Sequence, residues 1–291
     1  RMIAVMMAEG INTVEQLRRM GEEQHMMLEP NLDGKELPLQ VSIPNTLSAG
    51  EFNMGGGNVL DDAAGHKIRV RHPRLYSDLI VLDSAMTEGT PDWLWLSTGV
   101  KALDHCIERL YTTGRQPAID APVLTAAEMI FNYLPLSRES NGDSEARQQC
   151  LVAAWMSMMG APNFATGMSH AIGHILGVQY SVGHGYTSCV TQPYVMEYNR
   201  PVSAGKQALL ARSAGLDTKG MSDDAAAELA ARAVDDFILG LGMPHRIREL
   251  EIPEEDLPKI AELVLTDGGC KSNAIPITTV DQVMEVLKKA F

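Results

Sequence analysis

Positive charge is scarce in this chain. Its 291 residues hold 24 Lys and Arg against 37 Asp and Glu, a net charge of −13. A surface so poor in cations repels a phosphate backbone, which argues against nucleic acid as a partner. Long apolar runs are missing too. None nears the roughly 20 residues that cross a bilayer as a helix, so no membrane association is expected. The four cysteines, Cys106, Cys150, Cys189 and Cys270, stand far apart without a Cys-x-x-Cys pair. That removes zinc ribbons and disulfide scaffolds and fits a reducing, cytoplasmic setting. No cleavage region of a signal peptide follows Arg1, and because residue 1 is not Met the sequence leaves open a start upstream of it or a genuinely shortened chain. Internal repeats and low-complexity runs are absent. What remains is ordinary for a packed protein of about two domains, 45% hydrophobic and 21% charged. The 17 methionines read as adaptable filling for a helical core.

Two patterns divide the chain, at 1–89 and 90–291. The first part mixes α and β. Residues 1–28 read as two short helices broken at Gly10, with Thr13 as an N-cap. Leu37 to Pro44 reads as a short buried strand ended by proline, Lys67 to Arg71 as one arm of a hairpin after a turn at 61–65, and Leu79 to Leu82 as a further strand. From Thr90 the pattern is helical. Thr90 and Pro91 suit N-cap and N1, and Asp92 suits the positive helix end. A helix is expected to Leu110, with others at 117–134, 143–160, 164–177, 203–215, 222–240, 255–265 and 279–290. Asn141-Gly142 lies in a solvated connection at 138–143.

Histidine carries the chemistry. His170 and His174 are four apart, so a helix stacks them on one face, and His184 follows a loop and begins a further element. His105 sits mid-helix on a largely apolar stripe. Neutral imidazoles bind Zn²⁺ or Fe²⁺, and three suffice for an open catalytic metal site. The alternative for any single one of them is a satisfied core or surface histidine.

The segment Gly167-Met168-Ser169-His170-Ala171-Ile172-Gly173-His174-Ile175-Leu176-Gly177, followed by His184-Gly185, resembles the signature of iron-containing alcohol dehydrogenases and their maleylacetate reductase relatives. The stretch ending Ala102-Leu103-Asp104-His105-Cys106-Ile107-Glu108 is similar to the D-A-x-x-H-x-x-E helix of that family. Ile43 to Phe52 resembles its P-T-T-x-(S/G)-x-(S/G)-E segment, and His72-Pro73-Arg74-Leu75, Ile80 to Asp83 and Thr87 match in order. The resemblance implies a dehydroquinate synthase-like fold, α/β plus all-α: a partial Rossmann-like nucleotide domain at 1–89 packed on a helical catalytic domain at 90–291. It also implies three histidine metal ligands, His105, His170 and His184, a non-ligand His174 near the substrate, and cofactor contacts from Thr46 and Ser48.

Two positions depart from that pattern. Where the family has a metal-binding Asp, this chain has Lys101. At an effective dielectric near 20, an ammonium about 4 Å from a divalent ion faces roughly 8 kcal/mol of repulsion, so bound Fe²⁺ or Zn²⁺ is doubtful. The helix is expected to turn Asp104 away from position 101, leaving Lys101 where the cation would sit, to polarise a carbonyl or hold a carboxylate. Maleylacetate reductases are similar in lacking this Asp and in working without metal. The alternative is a lysine that snorkels to solvent. The second departure is the cofactor loop. The family holds the NAD(P) pyrophosphate on a Gly-Gly-Gly-Ser loop at a helix start. That loop is not in this sequence, and Arg1 to Gly10 resembles the continuation of its helix. Gly55-Gly56-Gly57-Asn58 reads as a hairpin or bulge instead.

The resemblance thus implies an NAD(P)H-dependent reductase of a small oxo or unsaturated acid, with Lys101 and His105 supplying positive charge and His174 donating a proton. A homodimer binding a carboxylic acid or carbonyl compound is expected. The alternatives are a non-redox lyase, hydratase, isomerase or cyclase using the same His and Lys groups, or a remnant that binds a metabolite. Glu108 is expected to brace a backbone group or a histidine.

Overall fold

A computed structural model of the chain describes residues 1–23, 27–53, 55–61, 66–113, 117–138, 144–160 and 166–291. Most of the turn expected at 61–65 and of the connection at 138–143 lies outside the described residues. The chain divides into two compact units, Arg1–Pro44 with Ala49–Leu82, and Asn45–Ser48 with Asp83–Phe291.

In the first unit, helix α1 (Met2–Glu9) ends at Gly10, whose φ of 66° is the left-handed conformation that closes a helix C-terminus. Helix α2 (Val14–Glu23) opens with reciprocal bonds between Thr13 and Gln16. Strands β1 (Met27–Leu28), β4 (His66–Arg71) and β3 (Gly55–Asp61) form one sheet in the order β1-β4-β3, parallel then antiparallel. The register shifts between Gly55 and Gly57, so the glycine run is a bulge at the start of a hairpin strand. Met2, Val5, Leu17, Leu28, Leu32, Val70 and Leu75 make the core of this unit.

The other sheet is a parallel pair, β2 (Val41–Ser42) with β5 (Leu79–Ile80). Here the expected buried strand at 37–44 is corrected. Only two of its residues pair, and Leu39, Val41 and Ile43 are 75%, 50% and 49% exposed. Pro38 and Pro44 bracket the segment and lack the N–H a longer ladder needs.

The second unit is helical: α3 (Asp92–Tyr111), α4 (Pro117–Tyr133), α5 (Ser144–Ser157), α6 (Met168–Gln179), α7 (His184–Ser213), α8 (Asp223–Gly240), α9 (Leu257–Val264), α10 (Gly269–Ser272) and α11 (Val280–Ala290). Nearly all of α3 from Trp95 onward is buried, which makes it the central helix. Its start differs from expectation: the Thr90 hydroxyl donates to the Asn45 carbonyl, and no side chain caps the helix. The expected helix at 203–215 is the end of the 30-residue α7. Pro193 and Pro201 each remove one backbone bond but do not end it, because its middle is buried among its neighbours from Thr187 to Met196. Helices α6, α7, α9 and α11 share a core that includes Met168, Ile172, Val190, Ile260, Val264 and Val286. Among the described residues no helix is long and apolar enough to cross a membrane.

Candidate active site

Helix α3 presents Lys101, Asp104, His105 and Glu108 at i, i+3, i+4 and i+7, the spacing of one helix face. Asp104 therefore is not turned away from Lys101. At about 100° per residue, i+3 lies only some 60° round the axis, and a long lysine stem spans it. Lys101 Nζ donates to Asp104 Oδ2 at 2.9 Å and to Ser188 Oγ at 3.0 Å, and Ser188 Oγ donates to the same carboxylate oxygen at 2.5 Å. All three side chains are buried, so Lys101 does not snorkel to solvent. Burial alone would raise the Asp104 pKa, but the Lys101 charge, the His170 charge and the Ser188 bond hold it below the usual value.

Ser188 reaches this pair because α7 packs closely on α3 at Gly185. A Cβ there would lie 2.5 Å from the carbonyl carbon of Ser97 and 2.6 Å from its oxygen. Glycine is the residue that permits this approach, and it places His184 and Ser188 on either side of the contact.

Glu108 joins α3 to the start of α6. Its Oε2 accepts from Gly167 N at 2.6 Å and from His170 Nδ1 at 2.7 Å, and its Oε1 accepts from Ser169 N at 2.9 Å. One buried carboxylate thus serves as N-cap for α6 and fixes the ring that follows, leaving Nε2 of His170 as the nitrogen not held by Glu108. Met168 N donates to Asn273 Oδ1 at 3.2 Å, and Asn273 and Asn199 exchange side-chain amide bonds at 2.7 and 3.0 Å.

The four imidazoles converge. Ring centroids of His105 and His170 are 5.2 Å apart, those of His170 lie 6.3 Å from His174 and 6.2 Å from His184, and His174 and His184 stack at 6.1 Å with planes 2° apart. His105 Nδ1 and Asp104 Oδ1 are buried with no hydrogen-bond partner among the described residues. Burial, helped by His170 and Lys101, pushes the His105 pKa well below the ordinary histidine value, so this ring is neutral. His174 Nδ1 is 2.8 Å from Asp267 Oδ2.

Thr46 and Ser48 are half-buried on either side of Leu47. Leu47 N donates to Thr98 Oγ1 at 3.1 Å, which fixes the segment to α3 one turn before Lys101. Gly55 to Gly57 stand in a strand rather than at a helix start and do not make a phosphate loop.

The donor set does not fit a divalent ion. Among the described residues, the group whose ligand atoms all lie within 4.8 Å of one another is Asp104, Glu108 and His170, not His105, His170 and His184. Asp104 already neutralises an ammonium, and Glu108 already accepts three N–H bonds. A second cation there would meet the Lys101 charge at short range. Sequence reasoning missed Asp267 and Ser188, which carry no periodic or motif signal near the histidines.

Residues 95–291 match the family described as Fe-containing alcohol dehydrogenase, C-terminal. The chain is 32% identical to the dehydrogenase ALT3 of Alternaria alternata, covering 86% of this chain and 70% of that protein. The crystal structure of a 1,3-propanediol oxidoreductase superposes with a TM-score of 0.82 at 27% identity, covering 88% of this chain and 66% of that one. A maleylacetate reductase from a Rhizobium strain shares the fold, with a TM-score of 0.73 at 24% identity over 87% of this chain and 67% of that one. This chain belongs to the Fe-containing alcohol dehydrogenase family, a family of oxidoreductases, and spans about two thirds of the length of these relatives.

Proposed function

We propose that this chain forms the catalytic portion of an NAD(P)H-dependent oxidoreductase that reduces a small oxo or unsaturated carboxylic acid without a metal ion. The observation that carries this reading is the buried Lys101 ammonium, held by Asp104 and Ser188 beside four clustered imidazoles. The family resemblance implies a metal-binding carboxylate at that position.

When bound, a nicotinamide cofactor supplies the hydride. Thr46 and Ser48 hold it with their hydroxyls. His174, about a third exposed, donates a proton to the substrate oxygen or carbon that gains negative charge. Lys101 pairs with Asp104 and bonds Ser188 under the cluster, so it fixes that network rather than reaching solvent. Neutral His105 offers its unpartnered ring nitrogen to the carbonyl or carboxylate. The four free, buried cysteines suit a cytoplasmic protein, and a homodimer is the assembly this reading carries.

Titration with NADH and NADPH by fluorescence and calorimetry tests the reading, followed by reduction assays on small oxo acids with and without chelator. Nucleotide binding and chelator-insensitive turnover are expected. Turnover abolished by chelator and restored by Fe²⁺ or Zn²⁺ would overturn metal independence. No binding at millimolar nucleotide would overturn the redox reading and favour the lyase or isomerase alternative.

A further inference from the structure

The turn between α9 and α10 brings an acid to the histidine that carries the proton in the reading above. Asp267 N donates to the Val264 carbonyl at 2.9 Å, and its side-chain Oδ1 accepts from Gly269 N at 2.8 Å. The carboxylate is therefore anchored at one oxygen before it meets any ring. Its other oxygen, Oδ2, lies 2.8 Å from His174 Nδ1. The anchor is itself fixed. A Cβ on Gly269 would lie 2.5 Å from the Gly167 carbonyl oxygen and 3.2 Å from Ala171 Cβ, so the turn lies directly on the first turn of α6. Ser272 Oγ donates to the Thr166 carbonyl at 2.5 Å and Asn273 Oδ1 accepts from Met168 N, which ties the same short segment to the same helix start twice more.

We propose that Asp267 is a positioning residue for the proton transfer. It acts through His174, not by touching substrate, and the inference rests on His174 being the proton donor. An ionised carboxylate only accepts, so its contact places a proton on Nδ1 and makes Nε2 the nitrogen that exchanges a proton with substrate. In the reducing direction the substrate carbonyl carbon gains a hydride while the carbonyl oxygen takes the Nε2 proton. The imidazolium becomes a neutral ring that keeps its Nδ1 proton on Asp267, and the product is an alcohol. The carboxylate beside Nδ1 holds the ring in that tautomer through each turnover. Glu108 does the equivalent at His170 Nδ1, but there both oxygens are also held by backbone N–H groups at the helix start. Asp267 is the carboxylate aimed at the more exposed of these two rings.

The tests are a tautomer measurement and a kinetic split. Two-bond ¹⁵N–¹H spectra of the labelled wild-type protein at alkaline pH should show this ring with Nδ1 protonated and Nε2 bare. Asp267→Asn should move that pattern toward the other tautomer. In steady state, Asp267→Asn and Asp267→Ala should lose at least tenfold in kcat with KM changed less than about threefold, and Asp267→Glu should recover part of the loss. A wild-type ring protonated at Nε2 overturns the proposal whether or not any variant folds. So does an unchanged kcat in a folded Asp267→Ala. A wild type that shows the expected tautomer but turns over no carbonyl substrate with either nucleotide would instead count against the redox reading.

Discussion

Replacing Lys101 by methionine removes a charge and keeps the stem. Lys101 and Asp104 are both 0% exposed with 2.9 Å between charged atoms. At an effective dielectric near 20 their attraction is about 6 kcal/mol. At neutral pH the loss stays below that figure, because Asp104 takes up a proton instead. Protonating a carboxylate of ordinary pKa at pH 7 costs about 4 kcal/mol. Ser188 remains bonded to it. Lys101→Met should therefore lose about 3–4 kcal/mol at pH 7, in the range for a broken buried pair. The deficit has a signature. The proton becomes cheaper by about 1.4 kcal/mol per pH unit, so the gap between variant and wild type should shrink to about 1 kcal/mol by pH 5. Urea unfolding followed by far-UV circular dichroism at pH 7, 6 and 5 measures it. Lys101→Met with Asp104→Leu should recover most of the stability, since no buried charge is left. A loss under about 1 kcal/mol at pH 7, or a deficit that ignores pH, would refute the ion pair as the reason Lys101 is buried.

Lys101→Asp should raise the affinity for Zn²⁺ or Fe²⁺ by putting a carboxylate beside the imidazoles. Unchanged affinity in equilibrium dialysis would show that position 101 does not converge with them. His105 makes stability depend on acid. Its folded-state pKa is depressed, so the unfolded chain binds the proton first as pH drops below about 6.5, and stability is lost by up to about 1.4 kcal/mol per pH unit. Urea midpoints for wild type and His105→Gln between pH 7.5 and 5.5 should diverge accordingly. Gly185→Ala should cost about 1–3 kcal/mol by forcing α7 off the Ser97 backbone, read as a lower melting temperature, and a neutral result would mean the helices can slide apart freely.

Local spacing carried much of the site. Two histidines four residues apart share a helix face whatever they pack against, and Glu108 was legible as a brace because it continues the face of Lys101 and His105. The expected helix at 203–215 is only the end of α7, whose earlier turns hold Pro193 and Pro201 and continue because the packing around them keeps the helix going. Asp104 was misjudged by treating 60° of rotation as opposition, when side-chain length closes that gap.

Resemblance of three motifs sufficed for the family, and periodicity for the helical character of 90–291 and the meeting of His170 with His174, because these depend on neighbours three or four residues away. Whether Lys101 faced water or an acid, which carboxylate held His174, and how Ser188 came within 3.0 Å of an amine 87 positions earlier were settled by the packing of separate helices. A charge chooses its partner by distance in space, and the chain's order carries no measure of that until α6, α7 and the turn at Asp267 have docked around α3.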